Sequence, residues 1–475
     1  LCLFDKAINK LNIKLKLNNI KIKSVKDIMD AYIKKTRDEL ISICKERKIK
    51  GYSSMKKDEI IQLLQSNINS NTSNDIIIGK EKGKKIKFID LFCGIGGFHQ
   101  ALSSINGECV FACDIDKNCR DIYEVNYGLK PSGDITEVDI DKIPNFDVLC
   151  GGFPCQPFSK AGQQKGFKDD RGNLFFNICA IVKRHKPKYL LLENVRNLSS
   201  HDDGNTWKVI YEHIDQLGYY TYKNPVILNV LHFNIPQNRE RVIIMCKRKD
   251  LGELPTLPSI PLSPKLNLTK NISDFICPGK ETEKYRIDGK FKDVETIWNS
   301  FIILLIGHNS TMPKFPIWTD WWDNDFQEND VFYVKYKLWI DKNREFYNDN
   351  KDILSDWLTT SRQNKNWIGA VRKFEWQAGD LLPDDGMHRV LWSARGSGIR
   401  VKRCNYIPTL VAMSMVPVYG PEHRKLTPRE LLRLQSFSDT FTFDEKTIHK
   451  QVGNAVNVKM IEKCAKFLIF NENLL

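Results

Sequence analysis

Four side chains stand where apolar runs of this sequence end, and their types suit covalent catalysis. Cys155 lies between two prolines in the glycine-flanked stretch GGFPCQPFS (151–159), directly after the apolar run FDVLC (146–150). A structural cysteine needs no such frame, whereas a nucleophile gains from a stiff loop at the carboxyl end of a strand. Glu193, with Asn194, closes YLLLENV (189–195), and a carboxylate after three leucines is costly unless it is used or paired. Arg239 and Arg241 lie in IPQNRERV (235–242), just ahead of and inside the next apolar run. Taken singly, each has a plain reading: a buried thiol, a helix cap, a salt-bridged surface. Their joint placement on strand ends favours a reactive crevice.

A glycine turn supplies the other half of the site. DLFCGIGGFHQA (90–101) reads as a strand, a turn and a helix start, in which Gly94, Gly96 and Gly97 permit a tight bend and let a ligand approach helix N–H groups. Asp114, in the second apolar run CVFACDI (109–115), can accept hydrogen bonds from a ribose diol, and SGDIT (132–136) adds Asp134. The turn alone fits a nucleotide, a flavin, a methyl donor or a merely packed bend. The dinucleotide spacing GxGxxG is absent, which weakens a dehydrogenase reading, and the two acids favour an adenosine-containing ligand.

A thiolate, a carboxylic acid, arginines and a methyl donor together suit one reaction. Carbon 5 of cytosine is a poor nucleophile towards a sulfonium methyl group, but thiolate addition at carbon 6 makes the ring enamine-like and carbon 5 reactive. A carboxylic acid donating to N3 eases the addition, and guanidinium groups can lower the thiol pKa and hold O2 or a phosphate.

The elements that would position these groups alternate in type. KFIDLF (87–92), CVFACDI, FDVLC, YLLLENV and RVIIMC (241–246) are short runs, apolar on both faces, with helices such as GIGGFHQALSSI (94–105) between them, which predicts a parallel sheet covered by helices over 86–250. From 251 to 408 the pattern changes: prolines cluster at 255–264 and tryptophans crowd WTDWWDNDF (318–326), and short strands with long loops are expected. Helices return at KLTPRELLRLQSF (425–437), and a last helix follows QVGNAVNV (451–458).

Upstream, residues 24–65 read as helical, with TRDELISICKERKIKGYSSMKKDEIIQLLQ (36–65) broken at KGYSS. Thr36 with Glu39, and Ser54 near Asp58, are candidate helix starts. A polar linker (66–85) follows. Residues 1–87 hold 21 Lys and Arg against 10 Asp and Glu, so +11 of the net +14 lies in the first fifth of the 475-residue chain, a balance that favours a polyanionic partner. The 13 cysteines form no CxxC pair, which argues against metal fingers and a disulfide framework and for a reducing compartment. FIILLI (301–306), among the longest apolar stretches, is far too short to cross a membrane.

Residues 86–475 resemble the cytosine-C5 DNA methyltransferase family, through DLFCGIGG, GFPCQPFS, LLENVRN, PQNRER, KLTPRELLRLQSF and HKQVGNAV in that order. The resemblance implies an α/β fold: a Rossmann-like S-adenosylmethionine-dependent methyltransferase core (86–256), a mostly β and loop target-recognition lobe (257–420) and a C-terminal return (421–475) completing the core, after a basic helical region (1–85). It makes Cys155 the nucleophile, Glu193 the N3 acid, and Arg239 and Arg241 a substrate-facing pair. It gives S-adenosylmethionine, with S-adenosylhomocysteine as product, to Phe92, Gly94, Ile95, Gly96, Gly97, Asp114, Ile115, Asp134, Ile135, Leu174, Asn454 and Ala455. No metal is implied. QPFSKAGQQKGFKDDRG (156–172) resembles the family's active-site loop, with Ser159 touching a phosphate, and RGSGIRVKRCNYIPTL (395–410) would bring Arg395, Arg400, Lys402, Arg403 and Thr409 to the nucleic acid. Trp318 could stack on bases, although aromatic core is the favoured reading. Residues 36–65 resemble the SAP family of nucleic-acid-binding modules.

The implied partner is duplex DNA, with the target cytosine swung out of the helix. A functionally paired restriction endonuclease without a stable complex, a monomeric state and no membrane are expected. The location would be cytoplasmic for a bacterial or phage protein and nuclear for a viral or eukaryotic one. Two rivals stay open: a tRNA cytosine-C5 methyltransferase, disfavoured by the long middle region and the basic extension, and a catalytically inactive DNA-binding homologue, disfavoured by the intact cysteine, acid and glycines.

Overall fold

The computed structural model describes residues 35–46, 55–61, 85–154, 174–261, 268–323, 331–412 and 416–475. Two units, Leu1–Lys85 and Ile86–Leu475, account for its contacts. In the first, helix α1 (Arg37–Glu46) starts at the expected capping box: the Thr36 N–H donates to Glu39 Oε2 at 2.7 Å and the Glu39 N–H to Thr36 Oγ1 at 3.4 Å. Residues 57–61 are also helical, and Leu40, Cys44 and Ile60 are buried. Ser54 lies outside the described residues; at this second start the Lys56 N–H donates to Glu59 at 2.6 Å.

The second unit begins with strands β1 (Ile86–Leu91), β2 (Gly107–Cys113), β3 (Val148–Gly152), β4 (Tyr189–Val195), β5 (Tyr219–Tyr220) and β6 (Val226–Asn229), then a short β7 (Gln237–Asn238) and β8 (Glu240–Arg248). All but β7 join one sheet ordered β2-β1-β3-β4-β8-β5, with β6 also paired to β8. Strands β1 to β4 are parallel, as expected. The all-parallel expectation fails at β8, which is antiparallel to β4, to β5 and to β6. An apolar run reports that both faces are covered and carries no information on direction. The reversal matters for chemistry, because it brings the start of β8, with Arg241 opposite Val195, to the carboxyl edge of the parallel strands.

Alternation along β8 explains its unbroken apolar run. Ile243 and Met245 belong to one buried cluster, Val242, Ile244 and Cys246 to another on the opposite face. Between the strands come α2 (Gly97–Ser103), α3 (Lys117–Tyr127), α4 (Leu174–His185) and α5 (Asn205–Gln216). Phe175, Ile178 and Val182 of α4, with Ile210 and Ile214 of α5, cover the second face. Each such side chain contributes about 1.5–3 kcal/mol through burial.

The second lobe differs from the expected strands and loops. Its described residues include the α-helices α6 (Gly289–Gly307, 19 residues), α7 (Val331–Asp349, 19 residues) and α8 (Lys351–Gln363, 13 residues). They accompany strands β9 (Ile317–Trp318), β10 (Lys373–Trp376), β11 (Val390–Arg395), β12 (Gly398–Arg403), β13 (Ile407–Pro408), β14 (Val418–Tyr419) and β15 (Arg424–Lys425). Six of these form a sheet ordered β15-β14-β11-β12-β10-β9, while β13 pairs with β7. Helix α6 is rich in β-branched and aromatic residues, so its local preference is weak. It forms because Val294, Trp298, Phe301, Ile302 and Leu305 fall on one face of a buried aromatic cluster. Trp298 stacks on Phe374 at 4.2 Å and donates from Nε1 to the Val371 carbonyl at 2.9 Å. Trp321 and Trp322 are buried, as the core reading expects, and Lys373 Nζ lies 3.2 Å from the ring centre of the part-buried Trp318.

The chain then returns to the core through α9 (Pro428–Leu434), α10 (Ile448–Asn454) and α11 (Val458–Phe470). Ile461, Cys464, Ala465 and Leu468 of α11 share the first cluster with Phe98 and Leu102 of α2, so the last helix completes the cover over the sheet. Where the lobe ends and α9 begins, Arg424 and Glu430 form a fully buried pair with contacts of 2.7 and 2.9 Å. Glu430 also accepts from the N–H groups of Thr427 and Cys277, both at 2.7 Å. Glu430→Ala leaves a buried guanidinium with only the half-exposed Glu422 as counter-charge and the Lys425 carbonyl as a further acceptor. It is expected to cost about 3 kcal/mol, read as a lowered urea midpoint with unchanged slope.

Candidate active site

The carboxyl ends of β1 to β4 and the start of β8 open into a cleft of about 650 Å³. Glu193 stands at the end of β4 and Arg241 diagonally across on β8; Arg241 Nε meets Glu193 Oε1 at 2.7 Å, with both side chains about nine-tenths buried. Asn194 donates from Nδ2 to the Phe153 carbonyl at 2.9 Å, while its Oδ1 accepts from the Val195 N–H at 2.8 Å. Asn194 thus ties the end of β4 to the segment Phe153–Pro154, which lines the cleft immediately before Cys155 in the chain. Cys155 and Ser159, like the rest of 155–173, lie outside the described residues.

Arg239 behaves differently from its expected partner. It is 1% exposed, and its terminal nitrogens donate to the carbonyls of Leu410 (2.9 Å), Gly453 (3.1 Å) and Ala455 (2.8 Å). Burial, then the nearby Arg241, lower its pKa to about 9, and the three carbonyls compensate the buried charge. Arg239 lines the cleft, but as the clamp that joins the second lobe's return and the C-terminal return to the core; Arg241 is the arginine in contact with the acid.

The opposite end of the cleft carries the features of a nucleoside site. Asp114 Oδ2 accepts from the Gly94 N–H and Oδ1 from the Asp116 N–H, each at 2.8 Å, so the carboxylate is aimed with lone pairs to spare. Burial raises its pKa. Ile115 is 74% exposed and lines the cleft, an apolar surface that needs a cover, and Phe92, Asp134, Ile135, Leu174, Asn454 and Ala455 line the same cleft. Gly94 and Gly97 line it too. A Cβ on Gly97 would come within 2.6 Å of the Val456 side chain, so the glycine lets the C-terminal return close the pocket. Two expected cofactor residues are placed elsewhere. Ile95 is buried in the core, and Gly96 sits at φ +84° beneath the Tyr127 ring as the cap of α2, where any side chain would collide.

Sequence reasoning missed several residues of the cleft. Lys450 reaches Asp116 Oδ2 at 3.1 Å, linking α10 to the start of α3. Cys93, Cys113 and Cys119 line the wall, and so does Gln451. The motif HKQVGNAV contained the signal for Lys450 and Gln451, but only the fold brings α10 against β2 and α3.

On the second lobe, β12 pairs with β11 so that Ser393 faces Arg400 and Leu391 faces Lys402. Arg395, Arg400, Lys402, Ser393 and Gln377 line one shallow depression. Arg400 pairs with Glu375 at 2.9 Å, and burial, then Arg400, lowers the pKa of Arg395. Arg403 does not join them. Its guanidinium is held by Asp385 and by the carbonyls of Ala378 (2.7 Å) and Asp380 (3.0 Å), so it braces the lobe instead of facing a ligand. Thr409 donates to the Asn238 carbonyl at 2.7 Å, next to the β7–β13 pairing that joins lobe and core.

A glycine turn, an aimed acid at the end of β2 and a closing C-terminal segment on this sheet define a Rossmann-like, S-adenosylmethionine-dependent methyltransferase core carrying a second lobe. Residues 86–469 match the profile of the C-5 cytosine-specific DNA methylases, and the chain belongs to that family. Type II methyltransferase M.HhaI of Haemophilus parahaemolyticus is 44% identical over 205 residues, 43% of this chain and 61% of that protein's length. Type II methyltransferase M.AluI of Cellulosimicrobium cellulans is 31% identical over an alignment covering 79% of this chain and 90% of its own length. For M.HpaII of Haemophilus parainfluenzae the values are 31%, 81% and 90%. Residues 33–72 match the Rho termination factor N-terminal domain, which replaces the SAP-like reading of that segment. Among the described residues no helix is long and apolar enough to cross a membrane, and no group of acidic, histidine and cysteine side chains could hold a metal.

Proposed function

We propose that the protein is a DNA (cytosine-5-)-methyltransferase acting on a cytosine swung out of a specific duplex sequence. The observation that carries this reading is the buried Glu193–Arg241 pair, set beside the segment leading into Cys155 and in the same cleft as the Asp114 wall. S-adenosylmethionine, when bound, would supply an electrophilic methyl group, with S-adenosylhomocysteine as its product. Phe92, Asp114, Ile115, Asp134, Ile135 and Leu174 would hold its nucleoside, with Gly94, Gly97, Asn454 and Ala455 around the rest.

The chain's own chemistry follows from the residue types. The Cys155 thiolate adds to carbon 6 of the base, while Glu193 relays a proton to N3. Arg241 orients the carboxyl and faces the base as charge develops on the ring. After carbon 5 takes the methyl group, its proton passes to solvent, N3 returns its own to Glu193, and the thiolate leaves as the carbon 5–carbon 6 double bond re-forms. The basic depression around Arg395, Arg400 and Lys402 supports duplex DNA as the partner, as does the +11 segment at residues 1–87. The relatives' designation as type II methyltransferases supports pairing with a restriction endonuclease of the same specificity.

The test incubates the protein and labelled S-adenosylmethionine with unmethylated duplex DNA or unmodified tRNA. Label at carbon 5 of cytosine in DNA, at a single sequence context, is the expected result. Label in tRNA alone would transfer the enzyme to RNA, and label in neither would remove the catalytic reading.

A further inference from the structure

Gln451 is the one side chain among the described residues whose amide nitrogen and amide oxygen are both buried without a hydrogen-bond partner. It is 4% exposed and lies on the wall of the cofactor cleft. Leaving either end of an amide unpaired costs about 1–3 kcal/mol, so a protein keeps such a group only where something completes it. Its polar neighbour is the Cys119 thiol, which burial pushes up to about 12 and which is a weak partner for either amide end.

The amide cannot easily turn away to find a partner. The Gln451 N–H donates to the Thr447 carbonyl at 3.2 Å, and its own carbonyl accepts from Ala455 at 2.9 Å. Around it, Gln435 Nε2 donates to the Val452 carbonyl at 2.9 Å and Arg239 holds the carbonyls of Gly453 and Ala455. A Cβ on Gly453 would overlap the Val411 carbonyl, so that backbone is also packed. The backbone of this segment is held in place, and Gln451 stands on the cleft wall with its amide just beneath the surface.

We propose that Gln451 is a cofactor-binding residue, its amide both donating to and accepting from S-adenosylmethionine and S-adenosylhomocysteine. An uncharged group that does both matches a ligand whose amino-acid end carries an ammonium and a carboxylate and whose ribose hydroxyls also do both. This rests on the methyltransferase reading above. Because the neighbouring Cys119 thiol is a weak hydrogen-bonding partner, the ligand gains stronger hydrogen bonds in exchange for a weak one, and the free protein bears the cost of keeping the amide so poorly paired.

The test measures equilibrium binding of S-adenosylhomocysteine by calorimetry, and thermal unfolding without ligand, for the full chain and for Gln451→Leu. The expected result is a Kd raised about 10- to 100-fold, the equivalent of one or two lost hydrogen bonds, with an unfolding temperature of the free protein that is unchanged or higher. A lowered unfolding temperature with unchanged Kd would make Gln451 a structural residue and overturn the proposal, as would a Kd unchanged in a protein of unchanged stability. Gln451→Glu, which keeps the size and one acceptor but loses the donor, should bind between the two if it folds with wild-type stability; binding as tight as wild type would also overturn it. Failure of the wild-type chain to bind S-adenosylhomocysteine would instead remove the cofactor reading on which the proposal stands.

Discussion

Methyl transfer by Cys155→Ala is expected to fall by about four orders of magnitude or more, because loss of a nucleophile removes the covalent route entirely. No other group in the described cleft can replace it. The cleft's thiols at Cys93, Cys113 and Cys119 are buried, and burial keeps them protonated, with those of Cys113 and Cys119 pushed up to about 12. Binding of S-adenosylhomocysteine and of duplex DNA should survive, since neither depends on addition to the ring. A duplex carrying 5-fluorocytosine gives a second readout. Fluorine cannot leave carbon 5 as the proton does, so the wild-type chain should remain covalently joined to the methylated base in a denaturing gel, and Cys155→Ala should not. A covalent complex formed by the variant would sink the assignment.

Glu193→Gln is expected to lower the turnover number by about 10²- to 10⁴-fold, the usual contribution of a positioned acid. Glutamine has nearly the same shape and can still accept from Arg241, so the pocket should persist while proton delivery to N3 is lost. The substitution also removes a carboxylate 2.7 Å from a guanidinium that is 11% exposed. Some loss of stability is therefore expected, and Arg241→Met in the same background should recover part of it, because the stranded charge is then gone. The two effects separate in measurement. A purely structural Glu193 would show lost stability with near-normal turnover in the folded fraction at low temperature, whereas an acid shows impaired turnover in fully folded protein.

What the linear pattern determined about this protein is the set of strands and the chemical identity of the groups at their ends. The stretches VLC (148–150) and LLL (190–192) are apolar at successive positions because both faces of the sheet are covered, and that property is local. The glycines around residue 94, the acids at 114 and 134 and the acid–asparagine pair at 193–194 could be read for the same reason: their function follows from residue type next to a strand end. Helix α6 was illegible because its preference is weak and its face is defined by Trp357, Trp367 and Phe374, far along the chain.

Tertiary structure alone decided how apparently equivalent residues divide. Arg239 and Arg241 are two positions apart, yet one clamps carbonyls 171 to 216 positions away and the other meets Glu193. Arg400 and Arg403 share a strand, but pleating turns them to opposite faces and Asp385 claims only the second. Gln451 was unremarked in the sequence because an unpaired amide is recognised by what fails to surround it. The direction of β8 belongs with these: side-chain pattern is blind to strand polarity, and only the assembled sheet brings Arg241 to the edge where Glu193 stands.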